Sequence, residues 1–128
     1  MIIAFWTLPL TLIFLWLSFR VIRYRRSERI PIGSGGNAAL ERAIRAHANF
    51  AEFVPFAVLL LILAEWGDAW PWLLHALGAL LVAARLSHGM GMVQDPEDYR
   101  FRVFGMTGTF AVLGIAAALA FWGALMRA

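Results

Sequence analysis

Five polar residues early in the chain are spaced so that they would lie on one face of a helix. Their charged and amide side chains are of the kinds that bind small charged molecules. They are Glu41, Arg42, Arg45, Asn49 and Glu52. At about 100° per residue, all five fall within an arc of roughly 100° on one side of a helix. Guanidinium groups bind carboxylates through paired hydrogen bonds, and a carboxylate accepts hydrogen bonds from an ammonium group. Together with the basic residues and the histidine described below, this polar stripe would suit a small anionic ligand that carries one ammonium group.

The helix that carries the polar stripe must also enter a membrane. Residues 53–64 are apolar without interruption, whereas a helix that spans a bilayer needs about 20 residues. The span must therefore include Asn49 and Glu52, at a depth where a charged group costs roughly 2.5–3.5 kcal/mol on insertion scales. Such a carboxylate is retained mainly where it faces protein, water or a ligand. A purely structural explanation is that Glu52 pairs with Arg45 or Arg85 to hold the helices together.

Composition places the chain among integral membrane proteins. It has 128 residues, enough for one domain over residues 1–128, and 62% of them are hydrophobic, with a mean hydropathy of +0.73. The absence of cysteine excludes disulfides, thiolate metal sites and a cysteine nucleophile. No His-x-x-x-His pair or HExxH motif occurs, so we expect no metal site. With few basic residues outside the membrane, nucleic acid is not an expected partner.

The hydrophobic pattern predicts an all-α membrane protein with a bundle of four transmembrane helices. The predicted spans are residues 2–19, 38–66, 72–92 and 104–125, with loops at residues 30–37 and 94–102. Arginine-rich loops are retained in the cytoplasm, so both termini are expected outside. Five arginines follow the first span: Arg20, Arg23, Arg25, Arg26 and Arg29. Membrane lipids are the expected surroundings, with anionic headgroups near these arginines.

Further polar residues are expected on the cytoplasmic side, close to the polar stripe. Arg85 and His88 lie three residues apart and face the same way on the third helix. Arg100 and Arg102 follow in the second inner loop, after an acidic group that includes Glu97. Small residues give the fourth helix faces for close approach of another helix: Gly105, Thr107, Gly108, Ala111, Gly114 and Ala118.

Residues 40–55, LERAIRAHANFAEFVP, resemble the signature of the membrane-associated proteins in eicosanoid and glutathione metabolism, the MAPEG family. This family contains the microsomal glutathione transferases and prostaglandin E synthase. Its motif is approximately E-R-x-x-R-A-x-x-N-x-x-E-x-x-P, which this sequence matches at Glu41, Arg42, Arg45, Ala46, Asn49, Glu52 and Pro55. Four spans and a basic first inner loop extend the resemblance over essentially the whole chain.

The resemblance implies a homotrimer in a bacterial inner membrane, with glutathione bound between neighbouring subunits near the cytoplasmic side. Arg100, or failing that Arg102, would stabilise the glutathione thiolate. Arg25 or Arg26 would reach the ligand from the adjacent subunit, and Arg26 is the second catalytic candidate. The implied glutathione-binding residues are Arg25, Arg45, Asn49, Glu52, Arg85, His88 and Arg102.

The implied reaction is that of a glutathione-dependent transferase or peroxidase. A thiol with a pKa of about 8.5 ionises more readily beside a guanidinium group. The thiolate would then attack a lipophilic electrophile, or reduce a lipid hydroperoxide, that arrives from the bilayer. The sequence departs from the family at Ala48, Phe53 and Met92, where other members have an arginine or a tyrosine.

Two further classes of function compete with this enzyme. Because these departures remove hydrogen-bond donors, the first is a non-catalytic relative that binds a lipid or a partner protein in the same groove. The second is a small proton-coupled multidrug exporter with one intramembrane glutamate. That glutamate belongs on the first helix, which carries no charge before Arg20 here. The sequence therefore favours the non-catalytic relative over the exporter.

Overall fold

The computed structural model describes residues 1–95 and 98–128, most of which lie in four long helices. Each helix is long and apolar enough to cross a membrane. The predicted fold class, an all-α bundle of four membrane-length helices, is confirmed, whereas the homotrimer stays a prediction. The helices are α1 Ile3–Glu28, α2 Ala38–Trp66, α3 Pro71–Gly91 and α4 Tyr99–Leu125.

The helix boundaries differ from the predicted ones at the arginine-rich end of the bundle, where α1 and α3 end and α2 and α4 begin. Helix α1 continues to Glu28, so four of the five arginines after the first apolar stretch are helical rather than in a loop. It ends at Arg29, which has a φ of 55°.

Helix α4 begins five residues earlier than predicted. The side chain of Asp98 accepts a hydrogen bond from the backbone N–H of Arg100 at 2.9 Å and caps the helix. Arg100 and Arg102 therefore lie in the first turn of α4 and not in a loop. Glu97, predicted to be in that loop, lies outside the described residues.

The four helices form a bundle with one helix at each corner, and one diagonal pair of helices is also in contact. Helix α1 packs on α2 and α3, and α4 packs on the same two helices from the other side. Among the described residues α1 and α4 are not neighbouring helices, and α2 lies beside α3 across the middle. Leu17, Phe50, Leu61, Leu81 and Val112 are among the buried side chains that form the core. Helices α2 and α3 are thus the ones held on three sides.

Glycines allow α3 and α4 to approach closely next to His88. A Cβ atom added to Gly105 would lie 2.6 Å from the Cβ of His88 and 2.7 Å from the carbonyl oxygen of Ala84. By contrast, a Cβ on Gly114 would meet nothing within 4 Å. The predicted small faces therefore separate into two, with Gly105 and Gly108 facing α3 and Gly114 on the open surface.

The opposite end of the bundle is closed by contacts within the subunit. The carboxylate of Glu65 accepts hydrogen bonds from the backbone N–H groups of Ile2 and Ile3, the latter at 3.1 Å. These N–H groups have no partner inside α1, because the first turn of a helix leaves its donors free. Glu65 on α2 thus caps α1, a role that its position on α2 alone does not reveal.

Candidate functional site

A polar crevice opens on the surface near the arginine-rich end, where α2, α3 and α4 meet. It is a small cavity of about 80 Å³. Five of the residues predicted for the glutathione site line it: Arg45, Asn49, Glu52, His88 and Arg102. Three helices therefore bring together residues that lie up to 57 positions apart in the sequence.

The contribution of α2 to the crevice follows from its periodicity. Asn37 caps the helix by accepting a hydrogen bond from the backbone N–H of Leu40 at 2.9 Å. Buried Ala46 and Phe50 turn one face of the helix towards the core. Arg45 and Glu52 lie on another face and are exposed, while Asn49 is partly buried. The polar stripe thus lies along the edge of the subunit.

Arg85 lies behind the crevice and does not line it. Its side chain is only 1% exposed. One guanidinium nitrogen donates to Oδ1 of Asn49 at 2.7 Å, and the other terminal nitrogen donates to the carbonyl oxygen of Gly105 at 3.0 Å. Arg85 therefore joins α2, α3 and α4 at the base of the crevice. The sequence had suggested that it contacts glutathione directly.

The side-chain carboxylate of Glu52 makes no ion pair or hydrogen bond with another residue in the described part of the subunit. The guanidinium of Arg85 is directed to Asn49 and Gly105 instead. The purely structural explanation, in which Glu52 pairs with Arg45 or Arg85, is therefore not found within the subunit. Glu52 remains an acceptor directed to the surface at the mouth of the crevice.

A larger cavity adjoins the crevice and runs along α4. It measures about 490 Å³ and shares Asn49, His88 and Arg102 with the crevice. Its remaining walls are mostly apolar side chains or aromatic rings: Tyr99, Val103, Met106, Thr107 and Phe110. A polar pocket thus opens into a mainly apolar one, an arrangement that suits a polar and a lipophilic molecule side by side.

Apart from Arg102, sequence reasoning did not assign the α4 residues of this larger cavity to a site. Tyr99, Met106 and Phe110 lie on one face of α4 at spacings of seven and four residues. The signal that would have found them is Asp98, a helix-capping residue directly before Tyr99. A helix that starts at Tyr99 places these three residues on the same side as Arg102.

The remaining predicted arginines lie away from the crevice within one subunit. Arg25 donates to the carbonyl oxygens of Ile30 and Gly33, at 3.3 Å and 3.0 Å, and so holds its own loop. Arg26 and Arg100 are exposed and line neither cavity. The catalytic roles suggested for these two residues stay predictions that need a neighbouring subunit or a change of side-chain position.

Two of the noted departures from the family contribute directly to the crevice walls. Ala48 and Met92 line it and supply no strong hydrogen-bond donor. Phe53 instead packs edge-to-face against Phe110, with ring centroids 5.6 Å apart. Within residues 1–95 and 98–128 no group of acidic, histidine or cysteine side chains could hold a metal ion. The chemistry of the crevice is therefore that of guanidinium, amide, carboxylate and imidazole groups.

Comparison with known proteins gives the family to which the chain belongs. Residues 3–122 match the model of the MAPEG family, and the match includes all the crevice residues. This chain belongs to the MAPEG family. It is also similar to the inner membrane protein YecN of Escherichia coli K12, with 33% identity over 122 residues, which cover 95% of this chain and 92% of that protein. The YecN protein of E. coli O6:H1 matches equally well.

The MAPEG assignment confirms the family resemblance given by residues 40–55. The chain is a multi-pass membrane protein, and its E. coli relatives are bacterial inner membrane proteins. The name of those relatives states a location and no reaction. The side of the membrane that the crevice faces stays a prediction from the distribution of arginines.

Proposed function

We propose that this MAPEG protein is a membrane-bound, glutathione-dependent transferase or peroxidase that acts on lipophilic electrophiles or lipid hydroperoxides. The observation that carries the proposal is the polar crevice beside the mainly apolar cavity. Glutathione has two carboxylates, one ammonium group and one thiol. Arg45 and Arg102 can bind carboxylates, and Glu52 can accept from the ammonium group. The donor set of the crevice thus fits the charges of glutathione.

The size of the crevice supports a site that two subunits share. Its volume of about 80 Å³ is well below the roughly 300–1,000 Å³ of pockets that enclose small ligands. A bound glutathione molecule would therefore extend beyond the surface of one subunit. A neighbouring copy would complete the site, and Arg25 or Arg26 of that copy would supply further cations.

The exposure of Glu52 also supports a homotrimer. Arg45 and Glu52 are exposed on the outer face of α2. The short apolar stretch after Glu52 predicts that this residue lies within the membrane span, where contact with hydrocarbon is unfavourable. A second copy that covers this face would remove the carboxylate from lipid. A closed ring of identical subunits covers every such face in the same way.

The chemistry begins with the thiol of glutathione. A guanidinium group next to the sulfur favours the thiolate, and Arg102 is the arginine of α4 at the crevice. In the transferase reaction a carbon–sulfur bond forms, and the displaced electron pair leaves with the leaving group, which takes a proton. In the peroxidase reaction two glutathione molecules are oxidised to the disulfide, and the hydroperoxide is reduced to an alcohol and water. The second substrate would enter from the bilayer through the cavity along α4.

A non-catalytic role is the second candidate, and the walls of the crevice favour it. Ala48 and Met92 leave the crevice with few donors, and the adjoining cavity is mainly apolar. Such a protein would bind a lipid or a partner protein in the same groove without turnover. Binding and turnover must therefore be measured separately.

The test uses the full-length protein purified in detergent. Addition of glutathione at 100 times its dissociation constant should stabilise the folded protein by about 2.7 kcal/mol, measured as a rise in melting temperature. Glu52→Gln should lose most of this rise. Glu41→Gln is the matched control, because Glu41 is exposed on the same helix and lines neither cavity.

Turnover is then measured with a lipophilic aryl halide and with a fatty-acid hydroperoxide as second substrates. Conjugate or disulfide formation that needs Glu52 supports the enzyme. Glutathione binding without either product supports the non-catalytic role. No heat of binding and no stabilisation at millimolar glutathione would overturn the glutathione site itself.

A further inference from the structure

A buried arginine, Arg85, lies directly behind the crevice. The guanidinium of Arg85 lies within hydrogen-bond distance of Asn49 and Gly105, and no carboxylate pairs with it in the described residues. Its Nε atom is buried without a hydrogen-bond partner there. Burying a charge without a counter-ion costs free energy. The hydrogen bonds that hold the Arg85 guanidinium therefore indicate what this residue does.

The hydrogen-bonding inventory of arginine decides the orientation of Asn49. A guanidinium group has five N–H donors and no acceptor, so only the oxygen of the Asn49 amide can face Arg85 at 2.7 Å. The amide nitrogen, with its two N–H donors, must then point elsewhere. Asn49 also lines both the crevice and the cavity along α4.

We propose that Arg85 is a positioning residue that fixes the Asn49 amide with its N–H donors directed to the ligand. Position 49 would then select a hydrogen-bond acceptor, a carboxylate or carbonyl oxygen, and reject a donor. This inference rests on the proposed function, because the ligand that it orients is glutathione. Arg85 acts through Asn49 and does not itself touch the ligand.

The second contact of Arg85 makes the orientation rigid. The carbonyl oxygen of Gly105 accepts from Arg85 at 3.0 Å and also from the hydroxyl of Thr109 at 2.7 Å. Both Gly105 and Thr109 are buried. Because one guanidinium bridges α2 and α4 from α3, it cannot follow a rotation of the Asn49 amide without losing its contact to α4.

The Asn49→Asp variant tests the oxygen and the nitrogen of the amide separately. It keeps an oxygen acceptor for Arg85 and replaces the N–H donors with a second oxygen. We expect a melting temperature without ligand equal to or above that of the wild type, and glutathione affinity at least tenfold weaker. Asn49→Leu is the matched control, which removes the acceptor as well and should lower both the melting temperature and the affinity.

Variants of Arg85 test whether it acts through Asn49. Arg85→Met should weaken glutathione binding at least fivefold, and in that background Asn49→Asp should lose its stability advantage over Asn49→Leu. Arg85→Lys keeps one donor and should restore part of the affinity. Equal affinity in Arg85→Met and wild type would overturn the positioning role.

The two possible failures can be distinguished. If the wild-type protein shows no response to glutathione, the proposed function fails, and melting temperatures without ligand decide whether Arg85 holds the Asn49 oxygen. Asn49→Asp well above Asn49→Leu then supports that orientation, and equal values overturn it. If glutathione binds equally to wild type and Asn49→Asp, the proposed function survives and the orientation is wrong.

Discussion

Two glutamates on α2 have opposite environments, although they lie on one helix about 20 Å apart. Glu65 accepts hydrogen bonds from two backbone N–H groups of α1. Glu52 accepts none from any described residue of the subunit. A carboxylate with its acceptors occupied inside the subunit has a structural role. A carboxylate left without partners near the membrane requires one from outside, which is why the ligand site is expected at Glu52.

The two ends of the bundle also differ in the role of their helix contacts. The end opposite the arginine-rich one, where Glu65 caps α1, is called the remote end below. At the remote end α2 and α4 touch through backbone, since a Cβ on Gly123 would lie 2.4 Å from the Cα of Gly67. At the arginine-rich end Gly105 brings α4 against His88, whose side chain lines the crevice. Both contacts hold helices together, but only the second one also positions a side chain of the candidate site.

The largest effects are expected from alanine at these two glycines. Gly123→Ala and Gly105→Ala each force a methyl group into a contact below 3 Å, which should lower the free energy of unfolding by about 3 kcal/mol. Denaturation in detergent measures this loss. Gly114→Ala is the control on the same helix, because its methyl group would meet nothing, and it should leave stability unchanged.

Glutathione affinity distinguishes the two glycine variants. Protein with Gly123→Ala that remains folded should bind as the wild type does, whereas Gly105→Ala should bind more weakly because His88 moves. Equal loss of affinity in both would mean that the two ends are not independent. The comparison between them would then be wrong.

Glu65→Gln should have the next largest effect, on stability alone. Hydrogen bonds to charged groups contribute about 1.5–3 kcal/mol each, and the amide can retain only part of the capping of Ile2 and Ile3. We expect a loss of about 2 kcal/mol with unchanged glutathione affinity, the reverse of the pattern expected for Glu52→Gln. A change in affinity would remove the distinction between a structural and a functional glutamate.

The difference between Glu52 and Glu65 also shows which features could be predicted from the sequence. Hydrophobic periodicity and helical spacing predict the four spans and the face shared by Arg45, Asn49 and Glu52, because both depend on neighbours along the chain. The cap that Glu65 provides for α1 depends on a neighbour 62 residues away. Similarly, the partner of Arg85 depends on how α2, α3 and α4 meet, which the spacing on one helix does not give.

The choice between Arg100 and Arg102 shows a third case. The family resemblance, with both residues placed in a loop, favoured Arg100 over Arg102, whereas a helix capped at Asp98 turns them to different faces. Only Arg102 then lines the crevice. The capping residue Asp98, visible in the sequence, separates the two faces, and the packing of α4 on α2 and α3 decides which of them reaches the crevice.

Arg102→Ala should reduce turnover about tenfold, equivalent to about 1.4 kcal/mol in the barrier, and Arg100→Ala should reduce it less. The guanidinium lowers the pKa of the glutathione thiol, so its removal raises that pKa. The rate of the variant should therefore fall most at neutral pH and recover above about pH 8.5. A pH–rate profile measures the shift, and a larger loss in Arg100→Ala would assign the thiolate to Arg100.

The smallest effect is expected at the remote end, where Asp68 and Arg127 form an ion pair. Their side chains are 85% and 53% exposed, and such surface pairs contribute about 0–1 kcal/mol. Asp68→Asn should therefore change the melting temperature by no more than a degree or two and leave glutathione affinity unchanged. If it were as destabilising as Glu65→Gln, the remote end would depend on its charges as well as on capping and backbone contact. A stability loss that disappears in high salt would identify that dependence, because salt screens exposed charges far more than it weakens the hydrogen bonds of Glu65.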